Sequence, residues 1–121
     1  MTLFDLRSDD SKFIDAFRRY MQIRPKAPLI RAGAPITSAA VADALADSDR
    51  FKHRAERLLL EVHRAGAHGV IDDELIVAYS HWPHSSVTAT MSWLRANDLI
   101  KAGPDTRPTR YGNDAMVNRL T

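Results

Sequence analysis

The chain has no cysteine among its 121 residues, which rules out disulfides and thiolate metal sites at once. No apolar run approaches the ~20 residues that a membrane-crossing helix needs. The first ten residues, MTLFDLRSDD, lack the basic start and apolar centre of a signal peptide. Charge of either sign is also in short supply as an excess. Seventeen Lys and Arg stand against fifteen Asp and Glu, too even a balance for an electrostatic nucleic-acid coat. No P-loop, dinucleotide loop, G-x-S-x-G or H-E-x-x-H is present. The expectation from these absences is a cytoplasmic protein that is not an enzyme and carries no cofactor.

The length suits one domain with an appendage, and a chain of this size buries roughly two thirds of its unfolded surface without staples. Residues 8–22 have the pattern of an amphipathic helix, with Ser8, Asp9, Asp10 and Ser11 offering caps and negative charge at the positive end of its dipole. Phe13, Ile14, Phe17, Tyr20 and Met21 form its apolar stripe, which docks on its own domain or serves as a dimer arm or partner helix. Residues 23–36 hold three prolines and read as a connector. The division expected is therefore 1–36, helix and connector, and 37–121, the main domain.

Thr37 or Ser38 caps a short alanine-rich helix through about Ala46, and Asp47, Ser48 and Asp49 punctuate it. The best amphipathic pattern follows over 49–65, with Phe51, Ala55, Leu58, Leu59 and Val62 on one face. Gly66 and Gly69 close it, and Val70 reads as a short strand. Asp72, Asp73 and Glu74 then fall in the first turn of a further helix, where carboxylates are favoured, and helix capping accounts for this acidic cluster.

The stretch 82–100, WPHSSVTATMSWLRANDLI, organises the rest. Pro83 is tolerated at a helix threshold, and Ser85 is the expected N-cap. Val87, Met91 and Leu94 make the core stripe, and Asn97 and Asp98 can take the left-handed conformation that ends a helix. Leu99 and Ile100 restart the apolar signal in a strand. Apolar ends around PDTRPTRYGND predict a hairpin. Helix, short strand, helix, turn, helix, hairpin is the order of a winged helix-turn-helix. The fold class expected is mainly α (α+β), with a C-terminal β-hairpin wing and an N-terminal helical extension.

The blocks GVIDDEL, WPHSSVTATMSWLRANDLI and RPTRYGNDAMV resemble those of small winged-helix proteins common in actinobacterial phages and their hosts, and more distantly those of MarR-type regulators. The wing block is matched by Arg107, Thr109, Gly112, Ala115 and Val117, and the resemblance covers residues 37–119. It implies a DNA-binding fold in a bacterial or phage-infected cell, without naming a target. Three positions depart from the pattern. Ile71 stands where a capping Thr is common, so Asp72 is expected to cap instead. Asp98 replaces a Gly. Thr90 sits where relatives often carry Arg, leaving Arg95 as the one basic residue of the recognition helix.

On a helical wheel, Ser85, Ser86, Thr88, Ala89 and Ser92 can face a major groove. Hydroxyls there would meet base edges, and Ala or a Thr methyl would meet a thymine methyl. Lys101, Arg107 and Arg110, with Thr109 and Tyr111, lie on or beside the wing, where phosphate contacts would position the domain; ordinary hairpin charge is the alternative. Trp93 lies off the core stripe. It packs under the wing or against the N-terminal helix, or it marks a protein interface, or it stacks on nucleic acid. The five histidines form no recognisable ligand set, so no metal is expected. Two functions are carried forward. One is duplex DNA binding as a transcriptional regulator, with helix 85–96 in the major groove and wing 101–111 on the backbone. The other is a protein-interaction module in which Phe13, Phe17 and Trp93 contact a host or partner protein. A homodimer through the N-terminal helix fits either.

Overall fold

The computed structural model describes residues 8–23 and 38–121; the proline-rich connector and the reading of Thr37 as a cap lie outside the described residues. The described chain is mixed α+β: four helices and one antiparallel hairpin. They run in the order α1 (Ser8–Ile23), α2 (Ser38–Ala65), a 3-10 turn (Gly66–His68), α3 (Asp72–Ala78), α4 (His84–Ala96), β1 (Ile100–Pro108) and β2 (Asp114–Leu120). No described helix is long and apolar enough to cross a membrane.

The two helices expected over 37–46 and 49–65 are one helix, α2. Asp47, Ser48 and Asp49 do not interrupt it. No proline or glycine occurs between Ser38 and Ala65, so every backbone donor is kept, and Asp and Ser each cost well under ~1 kcal/mol in a helix interior. The helix stops where glycine begins. Gly69 adopts φ 71°, and a Cβ there would run into Val117 Cγ1 and would lie 2.9 Å from the Asn118 carbonyl oxygen. Only glycine lets the chain pass so close to β2. The expected strand at Val70 is a single bridge, with Val70 N–H donating to Asn118 O at 3.1 Å and Asn118 N–H returning to Val70 O at 2.8 Å.

One core joins all the helices. Leu58, Leu59 and Val62 of α2, Leu75 of α3, and Val87, Met91 and Leu94 of α4 are buried with Leu99 and Ile100. Most of the α1 stripe turns inward onto the same core, with Tyr20 and the neighbouring Ala16 fully buried and Phe13 and Phe17 packed against it, whereas Met21, expected on the stripe, is exposed near the end of the helix.

The end of α4 follows from its sequence. Asp98 takes φ 57°, the Leu99 N–H donates to Leu94 O at 3.1 Å and the Asp98 N–H to Arg95 O at 3.1 Å. This is the paired-bond stop usually built on glycine, here with Asp, whose short polar side chain tolerates the left-handed region. Arg19 Nη1 donates to the Asp98 carbonyl at 3.1 Å, tying α1 to this corner.

The hairpin pairs Ile100 with Leu120, Lys101 with Arg119 and Ala102 with Asn118, then resumes with Thr106 opposite Met116. Gly103, Pro104 and Asp105 oppose Val117 alone, so β1 bulges where its proline has no donor to give. The bulge sets Asp105 against Arg119, whose guanidinium grips both carboxylate oxygens at 2.6 and 2.7 Å.

Candidate nucleic-acid interface

Helix α4 carries the outward face expected to meet DNA. Val87, Thr90, Met91 and Leu94 are buried, so Ser85, Thr88, Ala89 and Ser92 are left exposed and Ser86 half-buried. The wheel missed Thr90, whose hydroxyl donates to Ser86 O at 2.7 Å; an arginine at that position would point into the core rather than into a groove. Ser85 is not the N-cap. The helix starts one residue earlier at His84, with Pro83 at the cap position, so Ser85 lies in the first turn with its side chain in solvent. No acidic residue occurs from His84 to Ala96.

Its one arginine lies at the edge of that face, donating to Ser92 Oγ at 3.3 Å, but its main partners are on α3 and β2. Arg95 is half-buried and donates to Asp72 Oδ1 at 3.1 Å, Asp72 Oδ2 at 3.3 Å and Asn118 Oδ1 at 3.0 Å. Asn118, a buried polar side chain, is satisfied in turn, its amide donating to Val70 O at 2.9 Å and Asp72 Oδ1 at 3.1 Å.

The hairpin arginines behave alike. Arg107 donates to Glu74 Oε1 at 2.8 Å and to the carbonyls of Gly69 at 2.9 Å and His68 at 3.0 Å. Arg110 donates through Nε to Asp73 Oδ1 at 2.9 Å and through its backbone N–H to Asp73 Oδ2 at 3.0 Å. The three consecutive acids of α3 thus each hold a different arginine: Asp72 with Arg95, Asp73 with Arg110, Glu74 with Arg107. Capping, expected to account for all three, accounts for one. Glu74 accepts the Ile71 N–H at 2.9 Å, Ile71 occupies the cap position, and Asp72, expected to cap, is committed to Arg95 and Asn118. No local pattern could reveal this, because each partner lies more than twenty residues away.

These pairs shape the local electrostatics. The Arg110 guanidinium, helped by its backbone N–H, holds Asp73 below the usual carboxylate range. Burial pushes Glu74 upward, but the Ile71 N–H and Arg107 outweigh it and the net displacement is downward. The Arg119 grip lowers Asp105 to about 2. Arg110 and Arg119 are displaced upward, chiefly by their hydrogen bonds to Asp73 and Asp105.

The remaining candidates fall around this clamp. Thr109 builds the hairpin turn, its hydroxyl 2.6 Å from Asn113 Oδ1 and its N–H donating to Asn113 O at 2.8 Å. Lys101 is exposed on β1 opposite Arg119. Beside the turn, Tyr111 is 79% exposed, with the Arg110 guanidinium 5.1 Å from its ring centroid. Val77 on α3 and Met116 on β2 are also exposed, at 50% and 60%.

The three aromatics carried forward as interface candidates are each half-buried and are linked to one another through Tyr20. Phe13 and Phe17 lie 5.9 Å apart, Phe17 and Tyr20 5.6 Å, and Tyr20 meets Trp93 edge-on at 6.1 Å. Trp93 also meets Phe51 edge-on at 5.1 Å. Of the readings open for Trp93, it occupies the packing one, against α1 and α2. A second aromatic group, unforeseen, surrounds the turn between α3 and α4: Trp82 stacks on Tyr79 at 4.6 Å, with His81 and His53 beside it at 5.4 and 6.1 Å. The Tyr79 hydroxyl donates to Glu61 at 2.9 Å and accepts from Arg57 at 2.8 Å. Burial and Glu61 raise its pKa against the opposing pull of Arg57. Among the described residues no group of three or more His, Asp or Glu converges to hold a metal ion.

Comparison of the chain with known protein families, with curated proteins and with solved structures finds no match.

Proposed function

We propose that the domain is a winged helix-turn-helix that binds duplex DNA through α4, acting as a transcriptional regulator in the cytoplasm of a bacterial or phage-infected cell. The observation that carries the reading is the outward face of α4. It presents Ser85, Thr88, Ala89 and Ser92 in the open, with no carboxylate to repel phosphate and no bulky side chain to hold the helix off a groove floor. Its opposite face is anchored in the core by Val87, Met91 and Leu94, so the helix is presented rigidly. Small hydroxyl and methyl groups meet several base edges with little discrimination, which fits modest sequence preference. In this reading the α3 acids orient the hairpin beside α4 and spend its arginines on that task.

The test is fluorescence anisotropy of a random duplex of about 25 base pairs at roughly 50 and 200 mM salt. The expected result is binding that weakens with salt and disappears in the Thr88→Glu/Ser92→Glu variant. No binding at the lower salt overturns the reading.

A second reading, a protein-binding module on the same scaffold, is favoured by the paired state of Arg95, Arg107 and Arg110 together with the exposed Val77, Tyr111 and Met116. It gains if the duplex fails to bind.

A further inference from the structure

The hairpin arginines are committed to carboxylates, so of the hairpin cations Lys101 alone stands open to a phosphate, and a second backbone contact would have to come from another element. We infer that Arg54 of α2 is a phosphodiester contact of this domain; the inference rests on the DNA-binding reading above.

Arg54 is half-buried, and its Nε is shielded from solvent with no hydrogen-bond partner. The Nε atoms of Arg19 and Arg107 share that condition, but both guanidinia have partners: Arg19 lies 3.3 Å through Nε from Asp15 Oδ2 and donates through Nη1 to the Asp98 carbonyl, and Arg107 donates to Glu74 and two carbonyls. Arg54 has no carboxylate, carbonyl or ring partner at all among the described residues. A partly desolvated cation without a counter-charge is unfavourable unless something brings one.

The position fits a ligand bound along α4. Residues of a helix are spaced about 100° apart. His53 faces Trp82 across 6.1 Å, and Arg57 donates to Tyr79, so that side of α2 looks toward the turn between α3 and α4. Arg54 lies about 60° round from Arg57, between it and the buried Leu58. It therefore sits on the boundary between core and surface, on the side where α2 meets Tyr79 and Trp82 of the turn between α3 and α4. That turn leads directly into His84 and Ser85, the start of the helix proposed to enter the groove. Phosphate, unlike a protein carboxylate, is absent until DNA arrives. This accounts for a guanidinium whose Nε is shielded from solvent and has no acceptor.

The experiment measures duplex affinity against salt for wild type, Arg54→Gln and Arg54→Lys, with thermal melting of each. Arg54→Gln is expected to weaken binding to unrelated sequences alike and to reduce the salt slope by about one. Its melting temperature should be no lower than that of wild type, since an unpartnered charge has been removed. Arg54→Lys is expected to restore the slope. An unchanged slope in Arg54→Gln overturns the inference while leaving DNA binding intact, and a slope lost together with melting temperature assigns Arg54 a structural role and overturns it too. Wild type that binds no duplex at the lower salt removes both the inference and the reading beneath it.

Discussion

Helix α4 is held by two seams of opposite character. On one side, Tyr20, Phe51 and Trp93 join α1, α2 and α4 through ring edges and buried aliphatic groups. On the other, Arg95, Arg107 and Arg110 join α4 and the hairpin to the three acids of α3. The first seam supplies stability in proportion to apolar area and is indifferent to salt and pH. The second is made of half-exposed ion pairs, whose individual contributions are small, but whose geometry is specific: each acid has one arginine. The contrast separates what keeps the domain folded from what fixes where its hairpin lies.

The sharpest way to break the comparison is at Tyr20, which is fully buried. Tyr20→Ala is expected to cost about 3–5 kcal/mol in urea unfolding, with little dependence on salt. A loss under about 1 kcal/mol would mean that α1 is only loosely attached. Next comes Asn118, the one side chain that serves both the Val70 bridge and the Asp72–Arg95 pair. Asn118→Ala leaves their buried donors and acceptors short of partners, and an expected cost of about 1–3 kcal/mol is checked by the same titration. The smallest effect is the acid response of the hairpin. Asp105 is held at about 2 in the folded chain against about 3.9 when unfolded, so the folded form binds fewer protons. Its contribution is complete above about pH 4 and is lost as the pH falls through the folded value. The melting temperature should therefore drop across that window in wild type, and less steeply in Arg119→Gln; parallel curves would sever the bulge from the acid response.

The two seams also differ in how far the sequence discloses them. The spacing of Phe51, Ala55, Leu58, Leu59 and Val62 announces the core face of α2, and that of Val87, Met91 and Leu94 the core face of α4, because helical period converts directly into a shared side. The hairpin and the stop at Asp98 were legible through turn chemistry for the same local reason. The ion-pair seam was not. Asp72 and Asp73 read as first-turn carboxylates favoured by the helix dipole, and Arg107 and Arg110 as free wing charge. Their pairing depends on how two distant elements are brought together, which no spacing encodes. The break expected at residues 47–49 failed for a different reason: weak helix formers without proline or glycine do not outweigh an otherwise continuous helix.

The bridge between Val70 and Asn118 carries a consequence for how the protein is made. The chain emerges from the ribosome in order, and β2, which follows α1 to α4, is the strand that supplies Asn118, Arg119 and the partner of Val70. Until those residues clear the exit tunnel, Arg95 and Asp72 lack their buried amide and the hairpin has nothing to close on. Helices α1 to α4 are thus synthesised before the side chain that completes the polar network between α3 and α4. A stop codon at or before Asn118 would leave a product that carries the buried apolar residues of α2 and α4 but lacks the amide that completes the polar lock, a ready substrate for degradation.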